Sequence, residues 1–534
     1  MSKQIPCVEM DVEEVIALGE RADSYRLKKS DHPKIKMMSD TIVLQHQAMQ
    51  GNDISVKRVL RMMFGAATEK TRNILKHTGK SRGESKQRET KKRGKRKGHG
   101  RRPASDYWGA DREQVAHPEL KAGDRCPDCC QANVYAPARQ SQIIRLVAQP
   151  LVAATVFELD TLRCAGCGKV FSAPPPAEAG EEKYDPNVGP GLAVQRYGYG
   201  MPMNRIEQMQ EDSGIPLPAG TQWELIRDTY RDIYPVWPEL LRQAAQAHLF
   251  HNDDTVTKIL AVEKQIREEA EGGEAGGKRR TGVFTTGIVA QRSDVTIAVF
   301  FSGRRHAGEN LQALLDQRGE KLPIPIQMSD GLNRNVPSTT PTHQANCNSH
   351  ARREFVDLVE HFPDESTHVL EVFEELYRNE AQTKEMDAQQ RLRFHRQHSG
   401  KLMAEFKKWL EGKMHGQQVE PNSSLGKAIN YILKRWKKLT LFLRKPGVPI
   451  DNNVAERILK TAIRHRNNSL FYNTLNGAHI GDMFMSLILT CRFCAVAPFH
   501  YLVTLRQYAK HLAEDPAAWM PWNYQSTLAT IAGG

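Results

Sequence analysis

The sequence lacks any apolar run long enough to cross a membrane, although the chain has 534 residues. No stretch approaches the roughly 20 consecutive apolar residues that a transmembrane helix needs. The first residues, MSKQIPCVEMDVEEV, also lack the apolar segment of a signal peptide. Cysteine is scarce, with nine in the chain, and close cysteine pairs in an unexported protein more often hold metal than form disulfides. We therefore expect a cytoplasmic protein with no membrane partner.

The composition predicts a globular protein of several domains. Apolar residues make up 40% of the chain and charged residues 26%, which is typical of chains with packed cores. At roughly 150 residues per domain, the length corresponds to three or four folded units.

Positive charge is concentrated in residues 80–102. This segment has 12 Lys or Arg against two Glu, in a chain whose formal net charge is +13. It has almost no apolar residues, so it predicts a linker that is disordered in the free protein. Its charge density favours nucleic-acid binding, and a merely solvated linker is the alternative. The cations assigned to this binding are Lys91, Lys92, Arg93, Lys95, Arg96, Lys97, Arg101 and Arg102.

Two cysteine pairs follow the basic segment. They are CPDC, with Cys126 and Cys129, and CAGC, with Cys164 and Cys167. Two such Cys-x-x-Cys turns presented by β-hairpins form the four-thiolate tetrahedral site that Zn²⁺ prefers. The spacing predicts a structural Zn²⁺ ion, since four thiolates leave no open coordination position. Unligated thiols are the alternative.

Acidic residues follow two predicted strands. AHLFHNDDT predicts a buried strand that ends at Asp253 or Asp254, and LPIPIQMSDG predicts another that ends at Asp330. Between them, TTGIVAQRSDVTIAVFFSG predicts a hairpin that turns near Arg292. Carboxylates on neighbouring strand ends can converge, although a solvated acid at the start of a turn is common.

The helical segment DNNVAERILK allows two interpretations of Glu456. In the first, Asp451 or Asn453 caps a helix and Glu456 forms an i,i+4 ion pair with Lys460. In the second, Glu456 joins two strand acids as oxygen ligands. Such a set would hold two Mg²⁺ (or Mn²⁺) ions and serve phosphoryl transfer.

The order of the motifs from about residue 58 onward resembles the transposases of the insertion-sequence 66 family. The matching segments are FGAATEK, GHGRR, CPDC, CAGC, LPAGTQW, HNDDT, SDG, CNSHARREF, DNNVAER and MPWN. The sequence departs from the family pattern at Leu332, Asn348 and Ser349, where Tyr, Trp and Ala are usual. No single motif is decisive, but their order is.

The resemblance implies a multidomain α+β protein with a ribonuclease-H-like catalytic domain. It implies a DDE transposase whose catalytic residues and Mg²⁺ ligands are Asp253, Asp330 and Glu456, because the family's Asp-Glu-Thr aligns with HNDDT from Asp253 onward. It also implies DNA as the partner at element ends and target, a homodimer or higher oligomer on that DNA, accessory proteins of the same element, and a place at the bacterial nucleoid.

Further basic residues are assigned to DNA binding around the Glu456 helix. Arg457 matches a position of the family motif, as Asn452 does, and substrate positioning is plausible there. Arg464, His465 and Arg466 form a polar basic patch just beyond it. A solvated helix end is an equally good interpretation of this patch.

The domain boundaries combine composition with the resemblance. We expect a helical region at 1–79, a basic arm at 80–105, a zinc ribbon at 106–175, a helix-turn-helix-like region at 190–240, a catalytic domain at 241–345 and 426–500 interrupted by a helical insertion at 346–425, and a C-terminal tail region at 501–534. An ordinary helical hairpin is the alternative at 190–240.

Two alternatives to a transposase remain open at this point. One is a catalytically inactive, transposase-derived DNA-binding protein, and the other is a nuclease of the same fold that cuts without joining. For Cys347 and His350 we favour a packing or DNA-contact role over a second metal site, because two ligands do not make a structural zinc site. Cys491 and Cys494 are expected in the core.

Overall fold

The computed structural model describes most of the chain beyond residue 150. The described residues are 31, 105, 118–128, 132–135, 151–163, 170–271, 280–416 and 418–532. Nearly all of the predicted helical region at 1–79 and of the basic arm at 80–105 lies outside them, as do Cys129, Cys164 and Cys167.

The chain divides into two compact units. One combines residues 1–82 with 356–371, and the other combines 83–355 with 372–534. In the first unit, Val356, Val359 and Leu370 form a small apolar cluster. The second unit holds the large core and the candidate site.

Seven strands and fifteen α-helices are formed by the described residues. The strands are β1 Thr161–Arg163, β2 Val170–Ser172, β3 Leu249–Val256, β4 Phe284–Gln291, β5 Thr296–Gly303, β6 Ile326–Ser329 and β7 His343–Asn346. The helices are α1 Val188–Ala193, α2 Met203–Asp212, α3 Ala219–Ile233, α4 Val236–Ala245, α5 Leu260–Glu271, α6 Ala307–Leu315, α7 Asn348–Val356, α8 Pro363–Gln382, α9 Ala388–His415, α10 Ser424–Leu439, α11 Asn453–Ser469, α12 Leu475–Phe493, α13 Pro498–Gln507, α14 Ala509–Glu514 and α15 Tyr524–Ala532.

A five-stranded mixed sheet organises the second unit, with the strand order β5-β4-β3-β6-β7. β3, β4 and β5 pair antiparallel, whereas β6 pairs parallel to both β3 and β7. The predicted strands are thereby confirmed, and so is the predicted hairpin, whose turn is closed by Arg292 N donating to Val295 O at 2.9 Å. The α+β class expected from the sequence is confirmed as a mixed sheet with many helices.

Helix α12 covers the outer edge of β5. Its Asp482, Ser486 and Thr490 recur every four residues and therefore lie on one face of the helix. They accept hydrogen bonds from the β5 backbone N–H groups of Ser302 at 2.7 Å, Phe300 at 2.9 Å and Ala298 at 3.1 Å. Side chains thus pair the donors that an edge strand would otherwise leave exposed.

The N-terminal helices of this unit pack on the same core. α2 and α3 lie on either side of Gly214, within the helical region predicted at 190–240. Trp223, on α3, packs against the main core. The helices α13 to α15 do so as well, through residues such as Tyr501 and Leu512, which are fully buried. Residues 501–532 therefore contribute to the core.

No single helix in the described part of the chain is long and apolar enough to span a membrane. α12 and α13 meet the composition test only as a pair bent by 119°. Cys491, on α12, is fully buried as expected, and Cys494 is half-buried.

A candidate carboxylate site at one edge of the sheet

Asp253, within β3, and Asp330, just after β6, lie side by side on two neighbouring parallel strands. The sequence predicts that the first strand ends at Asp253 or Asp254, but β3 continues to Val256 because its last residues still pair with β4. Leu249 is opposite Ile326 and His251 is opposite Met328. Continuing this register brings Asp253 level with Asp330, which follows the last residue of β6. Neighbouring strands are about 4.8 Å apart, so the two acids share one end of the sheet.

Glu456 joins them from the first turn of α11. That helix packs on β3 and β4 at Gly287, the residue opposite Asp253. A Cβ at Gly287 would lie 3.0 Å from Leu459 Cδ2 and 3.2 Å from Ile458 Cδ1, so glycine permits the close approach. The sheet and the helix thus present three carboxylates to one place.

The pKa of Asp253 reflects the three carboxylates around it. Burial, followed by the negative charges of Asp330, Asp254 and Glu456, raises the pKa of Asp253 to about 7, against one backbone hydrogen bond that lowers it. Like charges that gather in a partly buried place are costly unless a cation or protons neutralise them. The site is therefore suited to binding a cation.

The structure confirms only part of the helix-capping interpretation of DNNVAERILK, because Asp451 Oδ1 accepts from the backbone N–H of Asn453, the first residue of α11, at 3.1 Å. The N-cap is Asn452, and its side chain makes no capping hydrogen bond. Within the described residues, Glu456 Oε1 is buried without a hydrogen-bond partner. His350 Nδ1 lies 3.7 Å from Glu456 Oε1. No ion pair with Lys460 is seen among the described ion pairs, because Lys460 lies on the exposed side of the helix.

Asp254 has a different environment from Asp253. Its side chain is 1% exposed and lies 3.0 Å from His306 Nδ1 and 3.2 Å from Arg334 Nη2. The backbone N–H of Ala307, at the start of α6, also donates to it at 3.4 Å. Consecutive strand residues face opposite sides of a sheet. Asp254 therefore anchors α6 on the face opposite α11.

Asn452 fastens the start of α11 to β3. Its Nδ2 donates to the carbonyl of Asn252 at 3.1 Å, and its Oδ1 lies 3.1 Å from His251 Nδ1. Its backbone N–H donates to Cys347 Sγ at 3.2 Å. Burial lowers the pKa of His251 to about 4, so this histidine is neutral near pH 7. Asn452 thereby fixes Glu456, one turn along α11, relative to Asp253.

Asp330 is held by its own turn. Its Oδ1 accepts from Leu332 N at 3.0 Å and from Asn335 Nδ2 at 2.7 Å. Gly331, with a φ of +88°, makes the turn, and a Cβ there would lie 3.0 Å from Arg435 Nε. Tyr431 OH donates to the carbonyl of Asp330 at 3.0 Å.

Tyr431 and Arg435 are residues of the site that the sequence interpretation missed. They belong to α10, and the Arg435 guanidinium lies over the Tyr431 ring at 4.0 Å from its centre. Their i,i+4 spacing places both on one helix face. That spacing is the available signal, but nothing local indicates that this face meets Asp330.

Cys347 and His350 lie beside Glu456. The ligand atoms of these three residues are all within 4.8 Å of one another. Burial raises the pKa of the Cys347 thiol to about 12. The neighbouring Asn348, which stands where the resemblance leads us to expect Trp, is buried, and its Nδ2 donates to the carbonyls of Leu439 at 3.1 Å and Ile450 at 2.9 Å. This departure from the family pattern is thus well accommodated.

The basic patch beyond Glu456 is only partly at the surface. Arg457 and Arg464 are exposed. Arg466 donates to Thr255 Oγ1 at 3.2 Å and to the carbonyl of Val256, so it ties α11 to the end of β3. The placement of His465 in this basic patch is wrong, because His465 is buried and stacks on Tyr472 with ring centres 4.7 Å apart. Burial lowers the pKa of His465 to about 3, so it brings no positive charge to a surface.

The described part of the predicted zinc ribbon consists of backbone pairings around the cysteine motifs. Arg125 and Asn133 form an antiparallel bridge, and Cys126 N donates to Ala132 O at 2.9 Å. β1 and β2 pair antiparallel on either side of residues 164–169. Because three of the four cysteines lie outside the described residues, the Zn²⁺ site stays a prediction.

The fold and the site define a mixed α+β protein with a partly buried carboxylate cluster formed by two central strands and one helix. The profile described as "Transposase IS66 family" matches residues 183–480, which is more than half of the chain. The chain belongs to this transposase family, and the resemblance drawn from its motifs is confirmed. Membership makes it a DNA-processing protein of a mobile element.

Two proteins of one bacterium are similar to parts of this chain. The chain is 24% identical over 394 residues to the uncharacterized protein y4hP of Sinorhizobium fredii (strain NBRC 101917 / NGR234), which covers 69% of this chain and 68% of that protein. It is 31% identical over 187 residues to the uncharacterized protein y4qI of the same organism, which covers 34% of each chain.

Proposed function

We propose that this chain is a DNA transposase that cuts the ends of its insertion sequence and joins them to target DNA. The observation that carries the proposal is the convergence of Asp253, Asp330 and Glu456 from two neighbouring parallel strands and one helix. The strand order and directions support a ribonuclease-H-like domain for 241–345 and 426–500, with the helices α7 to α9 as an insertion between the second and third acids.

The three carboxylates fit a pair of divalent cations. They are hard oxygen donors, which Mg²⁺ and Mn²⁺ prefer. The raised pKa of Asp253 and the unpartnered Oε1 of Glu456 indicate negative charge that no described cation of the chain neutralises. When bound, such ions would supply Lewis-acid stabilisation to the attacking and leaving oxygens of a phosphodiester.

The protein's own contribution is to hold these groups in place. Asn452 fixes α11 on β3, and the Asp330 turn fixes the second carboxylate. Arg435 and the exposed Arg457 stand beside the acids and are suited to phosphate oxygens. Rigid mounting matters because a displacement of about 1 Å can cost roughly 100-fold in rate.

DNA affinity is assigned to basic residues of the arm and of α11. The basic arm, from Lys91 to Arg102, and the exposed Arg464 would neutralise backbone phosphates without reading sequence. The cysteine pairs would hold a structural Zn²⁺ ion that shapes a ribbon next to the arm. Joining two element ends calls for two copies of the chain on DNA, so a DNA-bound dimer is part of the proposal.

The first experiment compares wild type with Glu456→Gln on DNA that carries the inverted repeats of the element. Wild type should cut and join in the presence of Mg²⁺, and the variant should lose both by at least about 100-fold while it keeps its DNA affinity. Asp212→Asn, an exposed carboxylate at the end of α2, is the matched control and should remain active. A fully active Glu456→Gln would refute the catalytic assignment.

The cleavage and strand-transfer products of wild type also distinguish a transposase from the two alternatives, a nuclease and an inactive DNA-binding protein. A nuclease would give cleaved ends without strand-transfer products, and an inactive DNA-binding descendant would give neither while it still bound DNA. Presence of all three acids in one place favours activity.

A further inference from the structure

Phosphoryl transfer leaves Cys347 and His350, which lie beside Glu456, without a role. Cys347 and His350 come from the start of α7, and Glu456 comes from the start of α11. Their ligand atoms, one sulfur, one nitrogen and one oxygen, all lie within 4.8 Å of one another. A set of three different ligand atoms from two helices differs from the Cys-x-x-His pair visible in the sequence.

Two atoms of the cluster have no partner within the described residues. His350 Nδ1 and Glu456 Oε1 are both buried without a hydrogen bond, and they face each other at 3.7 Å. Buried polar atoms are normally satisfied, so two orphaned atoms in one place call for a third group between them. A metal ion that accepts both lone pairs would satisfy both.

The third atom, Cys347 Sγ, belongs to a buried thiol that two backbone N–H groups orient. It is fully buried and accepts hydrogen bonds from the backbone N–H of Asn452, at 3.2 Å, and from the backbone N–H of His350. Donors of this kind stabilise negative charge on sulfur and orient it, as outer-shell partners do for metal ligands.

The donor set selects the class of metal. Mg²⁺ prefers an all-oxygen octahedron, whereas sulfur, imidazole nitrogen and one carboxylate suit Zn²⁺ and similar borderline ions. With Zn–S near 2.3 Å and Zn–N near 2.0 Å, tetrahedral ligand atoms stand roughly 3.3–3.6 Å apart. The observed separations need side-chain shifts of about 1 Å to meet that geometry.

We propose that Cys347, His350 and Glu456 form a second transition-metal site, distinct from the zinc ribbon, that takes a Zn²⁺-class ion. Binding forms a sulfur–metal bond and releases the thiol proton to solvent. Three protein ligands leave a fourth position open to water. One consequence rests on the proposed function: Glu456 drawn into this site is withdrawn from Asp253 and Asp330, so Zn²⁺ inhibits Mg²⁺-dependent cutting.

The binding test uses the full-length, tag-free protein with its cysteine pairs first saturated with Zn²⁺. Co²⁺ is then added, because tetrahedral Co²⁺ bound to a thiolate gives visible d–d bands and a near-ultraviolet charge-transfer band. Wild type should bind one Co²⁺ with these bands. Cys347→Ser should lose the charge-transfer band, and Glu456→Gln and His350→Gln should each weaken binding at least about 10-fold.

The controls keep the binding test decisive. Cys494→Ser removes another free cysteine, half-buried on the loop after α12, and should bind like wild type. His350 and Glu456 have side chains that are 26% and 27% exposed, so their glutamine variants should fold even if Cys347→Ser does not. Equal Co²⁺ stoichiometry and identical spectra in wild type and in both glutamine variants would overturn the site.

A separate activity assay tests the inhibitory consequence. Zn²⁺ added at constant Mg²⁺ should inhibit wild type, and Cys347→Ser should need at least about 10-fold more Zn²⁺ for the same inhibition. Equal sensitivity of the two proteins would refute the consequence. A wild type that binds Co²⁺ but never cuts DNA under Mg²⁺ would refute the proposed function and leave the metal site standing.

Discussion

Asp253 and Asp254 are adjacent on β3, yet only Asp254 has its charge neutralised by the protein. Asp254 lies 3.0 Å from His306 and 3.2 Å from Arg334. Asp253 instead faces Asp330 and Glu456, and its pKa rises to about 7 through burial and their negative charge. Because consecutive strand residues face opposite sides of the sheet, Asp254 anchors a helix whereas Asp253 is a candidate metal ligand.

Because the two environments differ, we expect Asp254→Asn and Asp253→Asn to have different effects on the stability of the protein. Asp254→Asn should destabilise the protein by about 2–3 kcal/mol, because it breaks a buried ion pair. Asp253→Asn should leave stability unchanged or raise it by about 1–3 kcal/mol in metal-free buffer, because it removes charge repulsion. Denaturant unfolding in EDTA measures both. Equal losses from the two variants would mean that Asp253 is also an anchor.

Stability should also fall as the pH rises toward neutrality when no divalent cation is present. Asp253 has a folded-state pKa raised to about 7, so the folded protein keeps a proton that the unfolded chain has lost. That contribution is complete below the unfolded pKa, near 4, and is lost as the pH rises to about 7. Melting temperatures between pH 5 and 8 in EDTA measure the fall, which Asp253→Asn should reduce.

Asp482 provides the control for this pH effect. Burial raises its pKa to about 7 as well, and it bonds to Ser302 rather than to the site. Mg²⁺ should restore stability near pH 8 in Asp482→Asn as it does in wild type, whereas Asp253→Asn should respond much less. A response to Mg²⁺ that is the same in all three proteins would place the cation elsewhere.

The sequence predicted the local elements of the site but not the contacts that assemble it. β3, β6 and the helix of DNNVAERILK each follow from local pattern and turn residues. By contrast, Asn452 bonds to His251 and Asn252, about 200 residues away. Such pairings depend on which strands become neighbours, and no local propensity encodes that.

Two patterns in the sequence disagree about whether His465 is buried or exposed. Ile458, Thr461, Ala462 and His465 recur at helical spacing and are all buried. That stripe predicts an inward-facing histidine. Its basic neighbours Arg464 and Arg466 indicate a polar basic patch instead, so the charge pattern and the helical period give opposite predictions for His465.

The exposed cations of α11 should contribute to DNA affinity without contributing to stability. Arg457→Gln and Arg464→Gln should each weaken DNA binding and reduce the slope of log affinity against log salt by about 1, with stability changed by less than about 0.5 kcal/mol. Fluorescence anisotropy at several salt concentrations measures the slope. Arg466→Gln is the contrast, because it should mainly lower the melting temperature through lost bonds to β3. An unchanged slope in both exposed-arginine variants would exclude these contacts.

Gly287 predicts a way to separate the position of Glu456 from its chemistry. Gly287→Ala would bring a methyl group 3.0 Å from Leu459 Cδ2 and 3.1 Å from Leu459 Cγ, so the Leu459 side chain must give by a few tenths of an ångström, and we expect α11 to move outward with it. The overpacking should cost about 1–2 kcal/mol. Cleavage should fall about 10- to 100-fold, because Glu456 moves away from Asp253 with its helix.

A second substitution tests whether the helix displacement is the cause. Leu459→Ala removes the atoms that the new methyl group meets, so Gly287→Ala with Leu459→Ala should cut DNA faster than Gly287→Ala alone, although Leu459→Ala by itself destabilises. Gly220→Ala is the matched control, because a Cβ there meets nothing within 4 Å. If the double variant is no faster than Gly287→Ala, the close approach of α11 to β4 does not set the position of Glu456. Faster cleavage by the double variant would show that the packing of Gly287 against Leu459 sets the position of Glu456.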